Sequence, residues 1–344
     1  MRRWVKAAIA AAVCVGLGGW IGQPYAQDWW VLRDACDGSL PPDAVRQLAP
    51  EDAHLADDEW EQGGQPDWYR CTLRVESRRR AEKFLTAAAS TRVEDREQEF
   101  DLLFSDGRYS APVPLAGGLP GFLDQFLDMH FLVPCPDLGE DADGRQQTLV
   151  VRFGLSMEAD GPAPAPAVYE AAVTFANAAS EKLGCGAESL EVPEAHDLPA
   201  SLLDADRSTT VPLDELTAAP PCGSLAGADL PDNTAWRASF FSDAQVPYTR
   251  CSLLVPEGRT SGPEDKVTLL AWYGDWSTEL VSVGNERLGM TGFARCDGQD
   301  ANFALNLRER LPGRIDATTQ RALLTAFARD EVRRRDCSDL RFTW

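Results

Sequence analysis

Histidine is nearly absent from this chain of 344 residues: only His54, His130 and His196 occur. The cysteines include no C-x-x-C pair, and past residue 30 no two lie closer than 29 positions. Structural zinc sites use short-spaced ligand pairs, so the common ones are excluded. No G-x-S-x-G elbow is present, which removes the usual α/β-hydrolase nucleophile. No H-E-x-x-H occurs either, which removes the common zinc proteases. Positive charge is also short, with 33 basic residues against 54 acids and a formal charge of −21. Arg2, Arg3 and Lys6 lie in the first 26 residues, where no acid occurs; setting them aside leaves about −24 for the rest. Such a surface repels nucleic-acid phosphates and favours cations and basic partners, although solubility alone accounts for it. Lysine is scarce beside arginine, and Ala, Asp, Gly and Pro are abundant, the usual bias of high-GC coding.

What is present begins at the N-terminus. The first six residues are Met-Arg-Arg-Trp-Val-Lys, the run from Ala7 to Gly22 is uncharged, and Gln23-Pro24-Tyr25-Ala26 follows. A basic start followed by an apolar run is an export signal. The basic flank stays cytoplasmic, which puts the C-terminal part outside. Pro24-Tyr25-Ala26 matches the small-x-small cleavage pattern poorly. The uncharged run is shorter than the roughly 20 residues that span a bilayer comfortably. Trp4 and Trp20 nevertheless bracket it, Trp29-Trp30 follow, and indoles favour the membrane–water boundary. With tilt or local thinning, Val5 to Ile21 gives a workable span. Residues 1–26 are therefore expected to be an uncleaved single-pass anchor; the alternative is a secretory signal that is removed. Val13 precedes Cys14 where a lipoprotein signal needs a small residue. Gly16 to Gly22 is glycine-rich but lies in the apolar run with no strand before it, so it is no dinucleotide fingerprint. Gly18 and Gly22 make a G-x-x-x-G pair of the kind used in membrane helix pairing, which a small-residue signal region explains as well.

The other eight cysteines are Cys36, Cys71, Cys135, Cys185, Cys222, Cys251, Cys296 and Cys337. An even set in an exported chain reads as disulfides. Their neighbours expose a repeat. Cys36-Asp37-Gly38-Ser39-Leu40 parallels Cys222-Gly223-Ser224-Leu225, and Arg70-Cys71-Thr72-Leu73 parallels Arg250-Cys251-Ser252-Leu253. His130 to Cys135 parallels Gly292 to Cys296. Phe175-Ala176 precedes Cys185 in the same register as Phe327-Ala328 precedes Cys337. Duplication of one domain is the simplest account. If each domain closes on itself, three pairings per domain remain. The expected pairing is first with second and third with fourth: Cys36–Cys71, Cys135–Cys185, Cys222–Cys251 and Cys296–Cys337. Each loop of about 30–50 residues would contribute about 3–4 kcal/mol in the chain-entropy model.

Local patterns fill in the fold. Pro41 to Leu48 suggests a short helix with proline in its first turn. Strand candidates in the first domain are Arg70–Glu76, Phe100–Phe104, Met129–Val133 and Thr148–Phe153. Residues 167–183 read as an amphipathic helix closing at Gly184, with Leu190–Val192 as a returning strand. In the second domain Arg250–Val255, Val267–Tyr273, Gly292–Cys296 and Phe303–Arg308 are strands. Asp316 caps a helix to about Arg335, and Leu340–Trp344 forms the last strand. Strands, then a long helix, then a strand indicate α+β. The expected organisation is a signal anchor at 1–26 and extracytoplasmic domains at 27–192 and 221–344, joined by a proline-bearing linker at 193–220. Each domain is a mostly antiparallel sheet packed by a long C-terminal helix and stapled by disulfides. Leu202, Leu203 and Leu213 in the linker are candidates to dock on a domain.

The D-x-C opening with its following Ser-Leu, the short helix and the R-C-[TS]-L strand resemble uncharacterised actinobacterial secreted lipoproteins and their membrane-anchored relatives. Some of these resemble the Mog1/PsbP-like α/β sandwich. The resemblance covers about the first third of each domain, implies an envelope location and supplies no catalytic residues.

No catalytic, cofactor or metal residue is singled out. His130, between Met129 and Phe131, reads as packed or hydrogen-bonded, while His54 and His196 sit in acidic segments and read as solvated. Asp141 to Gly144 resembles the middle of a calcium loop, but Gly139 and Val150 would fill its first and twelfth positions, so a turn explains it better. Trp272-Tyr273-Gly274-Asp275-Trp276 is either an exposed recognition patch or core at a strand end, and the second reading is preferred. The leading functional expectation is a non-catalytic envelope module that binds a protein or wall component. The alternative is an extracytoplasmic hydrolase using a carboxylate pair, and a structural or sensory role is the third.

Overall fold

The computed structural model describes residues 28–50, 53–63, 67–77, 80–92, 113–124, 126–140, 146–156, 165–199, 202, 209–216, 221–228, 230, 236–242, 248–254, 266–274, 277, 290–307 and 315–344. The expected anchor, the Phe100–Phe104 strand, the Asp141–Gly144 turn and Asp275-Trp276 lie outside them. Among the described residues no helix is long and apolar enough to cross a membrane.

In the first half, helix α1 covers residues 28–38 and ends in three positive-φ residues, Cys36, Asp37 and Gly38. Helix α2 (Pro42–Leu48) starts on proline, whose missing N–H costs nothing in a first turn, and buries Ala44, Val45 and Leu48. Seven strands follow: β1 (His54–Gln62), β2 (Trp68–Ser77), β3 (Arg80–Ser90), β4 (Val113–Pro114), β5 (Gly121–Leu123), β6 (Met129–Pro134) and β7 (Thr148–Leu155). They form one antiparallel sheet in the order β1-β2-β3-β7-β6-β5-β4. Helix α3 (Ala165–Lys182) lays Ala172, Phe175, Ala176 and Ala179 into a core with Tyr69, Leu73, Phe131, Val151 and Phe153.

The second half supplies β8 (Thr209–Pro212), β9 (Arg237–Ser242), β10 (Tyr248–Leu254), β11 (Lys266–Tyr273), β12 (Met290–Cys296) and β13 (Gln299–Leu307). Helix α4 (Ala317–Arg334) and β14 (Ser338–Phe342) complete it. The sheet order is β14-β12-β13-β11-β10-β9-β8, again antiparallel. Asp316 caps α4, its Oδ1 accepting from the Thr319 N–H at 2.7 Å, and these hydrogen bonds hold its carboxyl below the ordinary value. Between β12 and β13 the two-residue turn Asp297-Gly298 has positive φ at both positions, the type I′ geometry that suits Asp-Gly. Phe303, Leu324, Phe327 and Leu269 meet in a second, separate core. The α+β class, with antiparallel sheets and a long helix following the strands, is as expected.

Strand order shows how the halves correspond. Cys71 lies in β2 and Cys251 in β10. Aligning them sets β1-β2-β3-β7-β6 against β9-β10-β11-β13-β12, with the same order, direction and following helix. The four cystines are Cys36–Cys71, Cys135–Cys185, Cys222–Cys251 and Cys296–Cys337. The second bridge of each half ties the end of the β6 or β12 strand to the turn that closes α3 or α4. Those turns share a backbone pattern: the Cys185 N–H donates to Ser180 O, and the Cys337 N–H to Val332 O, both at 2.9 Å. The intervening left-handed residue is Gly184 in one and Asp336 in the other.

Three local expectations are corrected. Leu190–Val192 is not a strand. The Asn177 side chain binds the Leu190 backbone at both N–H and C=O, at 2.8 and 2.9 Å, in place of a neighbouring strand. The expected linker contains a strand, β8, that its composition did not suggest, while Leu202 and Leu213 dock as expected. Leu202 is buried in the first core, while β8 joins the second sheet and Leu213 and Leu216 join its core. His54 is not loose in a loop: it opens β1 and pairs through Nδ1 with Asp28 at 2.8 Å.

Both faces of each sheet are closed at the centre. Strands β6 and β10 are buried at nearly every position, which period-two alternation alone would not give. The faces turned away from the helices carry Phe122, His130, Leu132 and Val150 in one sheet and Tyr248, Leu270 and Trp272 in the other, all buried. They meet where Phe122 packs edge-on against Trp272, with centroids 6.1 Å apart.

Candidate functional site

A group of ionisable residues, with His130, Asp124 and Asp128 largely buried and Arg152 partly exposed, lies on that second face, beside the Phe122–Trp272 contact. Strand β5 ends at Leu123, and Asp124, Phe126, Leu127 and Asp128 lie between it and β6. Asp124 organises this turn: its Oδ1 accepts from the Phe126 and Asp128 N–H groups at 2.8 and 3.0 Å. Short polar side chains stabilise turns in this way. Its Oδ2 lies 3.0 Å from His130 Nε2. The pair fixes the imidazole with Nε2 as donor to the carboxylate.

Strand register places the remaining partners. His130 stands opposite Phe122 on β5 and opposite Arg152 on β7. Its ring, 3% exposed, stacks on Phe122 at 4.9 Å with 13° between planes. Arg152 donates twice to Asp128 Oδ2, from Nε at 2.9 Å and Nη2 at 2.7 Å. Burial pushes the Asp128 carboxyl above the ordinary range; the Arg152 hydrogen bond pulls it down, and the neighbouring Asp124 charge pushes it up. Gly154 leaves room for this carboxylate, because a Cβ there would collide with Asp128. Both carboxylates are thus engaged inside the cluster, Asp124 by two backbone N–H groups and His130, Asp128 by Arg152. The arrangement locks a turn and two strands together under the inter-sheet contact.

The second half buries Arg250 on β10 and, at the end of α4, a carboxylate. Glu331 is fully buried and receives Arg334 Nη2 at 2.5 Å on both carboxylate oxygens. The Tyr273 hydroxyl donates to the same carboxylate, and the Arg335 guanidinium lies 3.8 Å above the Tyr273 ring. Burial, then the Glu331 charge, pushes the Tyr273 hydroxyl well above its ordinary value. Arg334 also reaches Thr249 Oγ1 at 3.3 Å.

The matching place in the first half is built differently. Tyr69 occupies the position of Thr249, two residues before the strand cysteine. Its hydroxyl donates to the Cys36 carbonyl and lies 3.2 Å from Ser39 Oγ, and its ring stacks on Phe175. Lys182, in the position of Arg334, sits 5.3 Å above that ring and pairs with Asp37. Burial raises the Tyr69 hydroxyl; the Ser39 hydrogen bond opposes this, and the charges of Asp37 and Asp58 add to it.

Among the residues singled out from sequence, His130 is packed and paired, and His196 is exposed beside Glu194 and Asp197. Trp272 and Tyr273 are buried, so the recognition-patch reading fails for both. Asp124, Asp128, Arg152 and Glu331 were not singled out. Among the described residues no group of three or more His, Cys, Asp or Glu side chains is placed to hold a metal ion. The chain matches no protein-family model, no curated protein and no solved structure.

Proposed function

We propose that this is a membrane-anchored extracytoplasmic protein whose two related halves bind another envelope protein or a wall component without catalysis. The observation that carries the reading is repetition: the same five-strand order, following helix and pair of cystines occur in each half. Cystines at matching places favour an oxidising compartment, which agrees with an N-terminal export segment. The Asp124–His130, Asp128–Arg152 and Glu331–Arg334 pairs each join groups within one half, which favours architecture over turnover. Two linked copies gain avidity when both engage one ligand. On this reading residues 1–26 anchor the chain, and the duplicated units resemble those of actinobacterial envelope proteins.

Protease added to intact cells should degrade the chain from outside. The purified full chain should then bind a purified envelope protein or wall fragment saturably and at fixed stoichiometry, leaving it chemically unchanged. Turnover of that ligand, or no saturable binding across envelope fractions, would contradict the proposal.

A further inference from the structure

Helix α1 is fixed in rotation by its inner side. Leu32, Ala35 and Cys36 are buried, and Cys36 is bridged to β2. Asp28, one turn before Leu32, holds the start of β1 by accepting from the Leu55 N–H at 2.8 Å and pairing with His54 at 2.8 Å. The outer side must therefore carry what lies between. Trp29 and Trp30 are 49% and 58% exposed, their rings edge to face at 5.0 Å, and Arg33 Cζ stands 5.4 Å from the Trp29 ring. Two adjacent exposed indoles on a pinned helix are costly in water, and an indole beside a cation suits the lipid headgroup layer. Ile21, the last aliphatic residue of the apolar run, is eight positions before Trp29. Even a fully extended connection spans no more than about 30 Å.

We propose that Trp29 and Trp30 seat the first half on the outer surface of the bilayer, with Arg33 toward the lipid phosphates, so that α1 sets the orientation of the protein on the membrane. This rests on the anchor reading above.

The test uses the full chain reconstituted in phosphatidylcholine vesicles with bromine on the acyl chains, which quenches nearby tryptophan. The expected result is that Trp29→Phe/Trp30→Phe lowers the quenched emission by about half, since Trp4 and Trp20 remain near the boundary. Trp60→Phe/Trp344→Phe, two exposed indoles elsewhere, should leave the quenching unchanged. If the chain floats with vesicles but quenching is equal in the Trp29/Trp30 variant and the wild type, the seat is wrong and the anchor stands. Equal losses in both double variants would overturn the seat as well. If the chain does not float with vesicles, the anchor reading fails and the seat fails with it.

Discussion

At the end of α3, Lys182 covers the ring of Tyr69; at the matching turn of α4, Arg334 binds buried Glu331 and reaches Thr249. Tyr69 and Thr249 are equivalent, as are Lys182 and Arg334, and Ala179 stands where Glu331 does. The first half fills the space from β2 with one large ring. The second keeps a small residue there and brings Tyr273 in from β11, where the first half has Thr91. An aromatic hydroxyl and a cation are present in both, supplied by different strands. The backbone turn and the cystine tolerate this exchange because neither depends on which strand delivers the ring. The sheet margin diverges in the same manner: β5 and β4 flank β6, whereas β14 flanks β12.

If the second half relies on an ion pair where the first relies on packing, Glu331→Ala should cost about 3–5 kcal/mol, because Arg334 is left beside a buried cavity. Urea unfolding of the full chain would measure it, and a loss below about 1 kcal/mol would remove the contrast. Cystine removal should fail to separate the halves. Cys135→Ala/Cys185→Ala and Cys296→Ala/Cys337→Ala remove bridges that close loops of 50 and 41 residues. Each pair should cost about 3–4 kcal/mol, with a difference of only about 0.2 kcal/mol from loop length.

The hydroxyls offer a finer comparison. Tyr273→Phe removes a bond to a carboxylate and should cost about 1.5–3 kcal/mol, while Tyr69→Phe removes bonds to neutral partners and should cost about 0.5–1.5 kcal/mol. Burial raises both hydroxyls above the ordinary tyrosine value of 10.0 in the folded chain, Tyr273 the more strongly. Their contribution is therefore complete below pH 10.0 and is lost as pH rises through the folded values. Urea midpoints taken across that range should fall, and fall less steeply in Tyr273→Phe. The smallest effect lies in the helix-closing turns. Asp336→Gly should stabilise by about 0.5–1 kcal/mol and Gly184→Ala destabilise by a similar amount, since both positions have positive φ.

The strands read most easily from the sequence were those with β-branched and aromatic runs, such as Thr148–Phe153 and Val267–Tyr273. Strand β3 was missed because its Ala87-Ala88-Ala89 has helical propensity, overridden by pairing on both sides with β2 and β7. Strand β1 is illegible in the sequence because its exposed Glu59, Trp60 and Glu61 suit a sheet edge and give no hydrophobic alternation. The cystine pairing was legible because duplication reduced the choices. The Asp124–His130 and Asp128–Arg152 pairs were not. Sheet register brings Arg152 beside residues 124–130, and no local spacing announces that.

One stapled unit occurs twice in this chain, each copy closed on itself. Proteolysis of the non-reduced full chain followed by mass spectrometry tests it directly. The expected cross-linked peptides join Cys36 to Cys71, Cys135 to Cys185, Cys222 to Cys251 and Cys296 to Cys337. A bridge between the halves, or eight alkylatable thiols, would contradict it.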